Sequence, residues 1–353
     1  MREQEREAFI ISKKAELLHK QKEIPAADLY ETTEVAFTSY RGMVASQGIC
    51  YVKGLIICSA DSFSSKLQTY NTRVYAKDAT TGKSTLLFQL AGLQNIYVYK
   101  VGSQELRFCS YGFNEDQSNK LCFHRYSFVN KKLEALGEFI LGQPIEQVDS
   151  VVRLKGHIAL SIQVRDNQQA DLYVVEASSF KLVNKKKNLS NLAYMPSEGL
   201  LFGLRQSRTQ QGLFNLVSLD AQLNASVRLK GIRMYCLIPE VDRIAFVDRL
   251  HNVKSYDLMG NKQLLFVAPS TDYIVWDKAF ISNGEALFFR VNVEYVDSGT
   301  RYQSSVFSGG YSFQKNKTFE LQGLDAWTLN YADRGLLIGD SVNSVAVYTL
   351  NRL

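Results

Sequence analysis

Over most of the chain, short extended runs of alternating apolar and polar residues are separated by turns rich in Gly, Asn and Asp. The clearest example is His251–Ala268, HNVKSYDLMGNKQLLFVA. Val253, Ser255 and Asp257 occupy one side of a period-two pattern, Met259-Gly260-Asn261-Lys262 is turn chemistry, and Gln263–Val267 is a second extended run. Two such runs about a Gly/Asn turn predict a β-hairpin.

The same pattern predicts groups of four strands from Gly42 onward, with turns at Gly82, Asn130, Ser179, Asp220, Gly260 and Asn316. The turns are about 45 residues apart on average, and four-stranded units of that length are the blade pattern of a β-propeller. Seven units fit, the seventh ending after Ser344–Leu350 without a fourth strand. The run Glu34–Ser39 (EVAFTS) belongs to no unit. It is expected to pair with Ser344–Leu350, which would close the ring without an exposed sheet edge.

Ahead of this, Glu3–Glu23 contains no Gly or Pro, and Pro25 would stop a helix. Ala8, Ile11, Ala15 and Leu18 recur at helical spacing, flanked by Ile10 and Leu17. That stripe serves one of two ends: it packs on the chain's own domain, or it docks on a partner. Acidic residues nearly balance the basic ones, which argues against a membrane-surface helix. The expected fold class is therefore all-β. An amphipathic helix within residues 1–25 precedes a seven-bladed propeller of four-stranded blades over residues 30–353, with the N-terminal strand completing the last blade.

Two segments give this pattern a family likeness. Val253–Gly260, with Tyr256-Asp257, and Val345–Leu350, with Tyr348, resemble the third strand of a WD-repeat blade, which typically ends in Trp-Asp or a relative of it. The chain is thus similar to a divergent WD-repeat-like β-propeller, and the resemblance implies a rigid interaction scaffold. Trp276 and Trp327 do not precede Asp in a third strand, and Gly156-His157 begins a second strand, so the family's hydrogen-bond network is not carried over.

Composition refines the picture. The 353 residues are 46% hydrophobic and 22% charged, as in globular chains, with 19 Tyr, 20 Phe and only 5 Pro. Five cysteines at 50, 58, 109, 122 and 236, without a C-x-x-C pair, suit reduced buried thiols and signal no zinc site. The N-terminus MREQEREAF is too charged for a signal peptide, and no long apolar run predicts a membrane span. An intracellular location is expected, in the cytoplasm rather than the nucleus. The sequons at Asn188, Asn224 and Asn316 matter only in a secreted chain.

Catalytic motifs are sparse. Lys77–Ser84 ends like a phosphate-binding loop, but Lys77 stands where the first Gly is required, and the run lies between two strands; a hairpin turn is the preferred reading. His19, His124, His157 and His251 are not at metal-ligand spacing, and Gly309-Gly310 is the single double glycine. No cofactor is expected. The net charge of +6 is mild, and its densest cluster is Lys185-Lys186-Lys187, in or beside the outer strand of the third unit. Lysines there discourage strand aggregation or contact an acidic partner or RNA phosphate.

The first functional reading is a non-catalytic protein–protein interaction scaffold in a multi-subunit assembly, docking through Ile11, Ala15 and Leu18. The connections near Ser62–Asn71, Phe113–Asn119 and Asp297–Gln303 are secondary contact candidates. The second is a nucleic-acid-associated or ribonucleoprotein subunit using Lys185, Lys186 and Lys187. A propeller enzyme ranks third.

Overall fold

A computed structural model describes residues 3–21, 31–34, 36–41, 50–52, 54–64, 69–78, 81–112, 119–268, 274–297, 300–322, 324, 328–333, 336–341 and 344–349. The helix α1 (Glu3–Gln21) is followed by the short strands β1 (Glu31–Glu34) and β2 (Ala36–Arg41). A first unit contains β3 (Cys50–Val52), β4 (Leu55–Ser64), β5 (Thr69–Asp78) and β6 (Ser84–Ala91). A second contains β7 (Gln94–Val101), β8 (Glu105–Gly112), β9 (Lys120–Ser127) and β10 (Lys132–Ile140). The third runs through β11 (Ile145–Arg153), β12 (His157–Val164), β13 (Asp171–Glu176) and β14 (Leu182–Lys186). Then come β15 (Ser190–Met195), β16 (Leu200–Gln206), β17 (Phe214–Leu219), β18 (Ala225–Ile238), β19 (Arg243–Asp248), β20 (Val253–Asp257) and β21 (Lys262–Phe266). The chain continues with β22 (Ile274–Ser282), β23 (Ala286–Asp297), β24 (Thr300–Ser312) and β25 (Lys317–Gln322), then β26 (Thr328–Asp333), β27 (Leu336–Ser341) and β28 (Ser344–Thr349).

Within each unit, neighbours in sequence are neighbours in the sheet and pair antiparallel. The first strands also meet in succession: β3 lies against β7, β7 against β11, β11 against β15, β15 against β18, β18 against β22, β22 against β26, and β26 against β3. Among the described residues, successive sheets from the first unit to the last pack against one another around apolar clusters. Phe88, Phe108 and Tyr126 fill the space between the first and second units, and Phe123, Leu160 and Phe180 that between the second and third. Phe266, Phe289 and Phe307 form an aromatic knot further on. A second strand such as β12, HIALSIQV, is buried on both faces and so reads as an apolar run rather than an alternation. An outer strand such as β14, LVNKK, covers one neighbour and stays largely exposed.

The pairing predicted for the N-terminal strand is present. β2 lies antiparallel to β28, with Ala36 opposite Thr349 and Arg41 opposite Ser344. The expected run Glu34–Ser39 is split, however: Glu34 belongs to β1, which pairs parallel with β25 (Glu31 opposite Phe319), while Val35 lies outside the described residues. The N-terminal segment thus adds to two successive sheets.

Two expectations change. The last strand of the fourth unit and the first of the fifth, which separate four-stranded units would keep apart, are the single strand β18, which joins two units in one seven-stranded sheet. The change of partner occurs just past Gly231: Leu229 faces Leu216 of β17, Ile232 pairs with both Phe214 of β17 and Asp248 of β19, and from Met234 onward the partner is β19. Gly231 sits at φ +67°, a left-handed conformation that costs a residue with a Cβ free energy. Ser62–Asn71 and Asp297–Gln303 are not open connections either. Ser62 pairs with Asn71, and Glu294 with Gln303, so β4–β5 and β23–β24 are long hairpins that carry their ladders outward. Most of Phe113–Asn119 lies outside the described residues.

Turn chemistry is more regular than the sequence reading recognised. Asp220, Asp248 and Asp257 each have an Asn four residues later, and each carboxylate accepts that Asn's backbone N–H, at 2.8, 3.0 and 2.8 Å. Tyr256-Asp257, which carried the family likeness, therefore serves its own turn, with the Asn261 side-chain amide donating to Asp257 Oδ2 at 2.8 Å. Gly309-Gly310 has a packing role: a Cβ at Gly310 would lie 2.1 Å from the Leu287 carbonyl oxygen of β23.

Candidate functional site

The helix α1 presents two opposed faces. At 3.6 residues per turn, Arg6, Phe9, Ile10 and Lys13 share one side, and Ala8, Ile11 and Ala15 the other. The first side rests on the chain's own sheet, against β24. Phe9 and Ile10 pack on the cluster holding Phe289 and Phe307, and the Phe9 ring meets Tyr295 edge-on at 6.4 Å. The Arg6 guanidinium lies 5.8 Å from the Tyr295 ring centroid, and Lys14 Nζ reaches Glu320 at 2.9 Å. Neither Phe9 nor Ile10 belongs to the stripe the sequence predicted, although Ile10 flanks it. On the opposite side Ile11 is 62% exposed, and Ala8 and Ala15 are also exposed. The Leu18 side chain lies outside the described set. One face of the helix is thus anchored on the sheet, and Ala8, Ile11 and Ala15 of the predicted stripe are turned outward.

The lysine cluster occupies the free edge of the third unit, where β14 is the outermost strand. Lys185 is already engaged. Its ammonium pairs with Asp171 at 3.2 Å and lies 4.7 Å from the centroid of the Tyr173 ring. Tyr173 chiefly holds it protonated above the ordinary lysine range, with Asp171 adding to the effect and burial opposing it. Lys186 is close enough to Asp220 to help keep that carboxyl low, although Asn224 is the main cause. Lys187 is exposed.

Three of the described histidines have local partners. His124 stacks on Phe108 at 4.8 Å, with Nε2 3.1 Å from Ser110 Oγ, a cross-strand pair that sequence spacing did not reveal. Burial pushes the ring down to about 4, so it is neutral at pH 7 and a poor base. Among the described residues no carboxylate bonds to it, so the Ser–His–acid arrangement of a nucleophilic triad is not formed. His251 accepts the Trp276 indole N–H at Nδ1, 3.1 Å away. His157 Nδ1 lies 3.2 Å from the Lys155 carbonyl. Burial raises the thiols of Cys58 and Cys236 to about 11 and about 12, and that of Cys109 further, which suppresses the nucleophilic thiolate. Among the described residues, no three His, Cys, Asp or Glu side chains are placed to hold a metal ion, and no helix is long and apolar enough to cross a membrane.

No protein-family model matches the chain, and no curated protein does. Solved structures do. The acylaminoacyl peptidase of Pyrococcus horikoshii aligns over 88% of this chain and 51% of its own, with 8% identity and a TM-score of 0.55. The present chain therefore spans about half the length of that peptidase. The β-propeller domain of the trilobed protease from Pyrococcus furiosus aligns over 88% of this chain and 94% of its own, with 8% identity and a TM-score of 0.54. Saccharomyces cerevisiae Sqt1 aligns over 92% and 100% at 8% identity, with a TM-score of 0.49, too low to inform the fold. Similarity at this identity concerns architecture alone: the chain has a β-propeller fold. The Pyrococcus furiosus domain is described as an open velcro, whereas here β2 adds across to β28.

Proposed function

We propose that the chain is a seven-bladed, WD-like propeller acting as a non-catalytic scaffold in an intracellular multi-subunit assembly, with the outward face of α1 as a docking element. The succession of first strands that returns from β26 to β3 supports seven blades in a ring. The observation that carries the functional reading is the division of α1. A helix anchored through Phe9 and Ile10 keeps Ile11 and Ala15 in a fixed position on the propeller, so a partner meets a preorganised apolar stripe at low entropic cost. Structural use of His124 and His251 and the high thiol values favour a non-catalytic role. The nucleic-acid reading is not preferred, because Lys185, the first lysine of its basic cluster, is committed to Asp171 and Tyr173.

The test is affinity purification of the full chain from its source cells, with partners identified by mass spectrometry, for wild type and for Ile11→Glu/Ala15→Glu. The variant is expected to keep the wild-type melting temperature and to lose at least one stoichiometric partner. Retention of every partner by a folded variant overturns the docking role.

A further inference from the structure

A second surface has the chemistry of a binding site. Where β18 crosses from one unit to the next, a groove of about 590 Å³ opens, lined by Arg228, Lys230, Arg249, Lys254 and Lys262 with the single carboxylate of Asp248. That volume falls within the range of about 300–1,000 Å³ common for ligand clefts. The cations come from β18, the β19–β20 turn, β20 and the start of β21, so only the fold gathers them.

The groove is built rather than incidental. Asp248 is buried and accepts the backbone N–H groups of Leu250 at 2.8 Å and Asn252 at 3.0 Å, which fixes the turn that projects Arg249 and Leu250. Beneath that turn Arg233 donates to the Arg249 carbonyl at 3.4 Å, and its buried Nε has no hydrogen-bond partner among the described residues. Arg228 Nε is held by Ser218 Oγ at 2.8 Å. Lys254 pairs with Asp248 at 2.6 Å, which uses the one carboxylate. Among the described residues, none of the four remaining cations, Arg228, Lys230, Arg249 and Lys262, has a carboxylate within ion-pair distance. A cleft lined by charges of one sign focuses field toward an anionic partner.

We propose that this groove binds an acidic, Asp/Glu-rich segment of a partner protein, with one apolar side chain of the segment against Leu250. Arginine guanidinium groups suit carboxylates through paired hydrogen bonds. Leu250 is 64% exposed among these cations, an apolar contact that a peptide can use and a bare anion cannot. Single-stranded nucleic acid is less well matched. It needs aromatic platforms for its bases, and the one aromatic ring in the lining, Phe246, is 4% exposed and packed beneath. The inference rests on the scaffold reading but concerns a surface other than α1.

The test is fluorescence anisotropy on the full chain with a labelled Asp/Glu-rich peptide carrying one Leu. The competitors are its Asn/Gln counterpart, single-stranded RNA of equal charge, and inorganic phosphate. Binding is expected to weaken with salt, about tenfold in Lys230→Glu/Lys262→Glu and severalfold in Leu250→Ser, while Lys185→Glu/Lys187→Glu changes it less than about twofold. Thermal melts establish that each variant is folded. Four results overturn the proposal: no binding, wild-type binding by the folded Lys230→Glu/Lys262→Glu variant, tighter binding of RNA, or full displacement by phosphate. The helix variant Ile11→Glu/Ala15→Glu should bind the peptide like wild type. If the peptide fails to bind while that variant still loses a cellular partner, the groove is refuted and the docking role of α1 stands; the reverse pair of results refutes the helix alone.

Discussion

Two basic surfaces of this propeller are built on the same device, with opposite outcomes. At the β14 edge, the buried Asp171 accepts the Asn188 backbone N–H at 3.0 Å and pairs with Lys185. At the β18 groove, the buried Asp248 accepts two backbone N–H groups and pairs with Lys254. Each aspartate consumes one lysine. At the edge, that lysine is the first of three consecutive lysines, and strand geometry turns Lys185 and Lys186 to opposite faces, so the cluster is divided. At the groove, four further cations from separate segments converge around the neutralised pair. Density of charge along a chain and density of charge in space are different quantities, and a partner responds to the second.

The largest effect expected within this comparison is loss of the groove's aspartate. Asp248→Ala leaves two backbone donors and Lys254 without their acceptor and should cost about 3 kcal/mol in chemical denaturation. Asp171→Ala removes one backbone acceptor and one partly exposed ion pair and should cost about 1–2 kcal/mol. If the order of the two losses were reversed, the groove would not be the more rigidly constructed surface. Gly231→Ala comes next, at about 1 kcal/mol, because it forces a Cβ into left-handed backbone and brings it 3.2 Å from Gln210 Oε1. Its stability loss should be accompanied by weaker peptide binding, since β18 changes partner there. The smallest effect is Lys185→Gln, at about 0.5 kcal/mol or less by the same denaturation measurement, as expected for a partly exposed pair. A loss well beyond that would make the β14 cluster a structural element.

Much of the strand pattern was legible because it is local. The turns at Gly82, Asn130, Ser179, Asp220, Gly260 and Asn316 were read from residues that set their own backbone geometry. The pairing of the N-terminal strand with the last strand follows from a count, one strand over and one short, and β2 pairs with β28 as that count requires. The continuity of β18 was hidden because Lys230-Gly231 reads as a turn; only the partners on either side show that the strand persists through it. The long hairpins β4–β5 and β23–β24 were missed for a related reason, since polar residues such as Ser62, Asn71 and Gln303 look like loop when their ladder runs beyond the core. A further local signal is Asp followed four residues later by Asn, which at 220, 248 and 257 marks three turns capped by the aspartate.

The candidate surfaces were less legible. The helical spacing of Ala8, Ile11, Ala15 and Leu18 is visible in the sequence, but it gives no indication that Phe9 and Ile10, on the opposite side from Ile11, make the contact with the sheet. Lys185, Lys186 and Lys187 attracted attention by adjacency, whereas Arg228, Lys230, Arg249 and Lys262 did not.

The sequence by itself determined the all-β character, the period of the units and most turn positions, because alternation and turn propensity act over a few neighbouring residues. Tertiary structure alone decided which face of α1 is anchored, where β18 changes partner and which cations share a groove. Those outcomes depend on contacts between residues far apart in the chain, for which a single sequence carries no local physical signature.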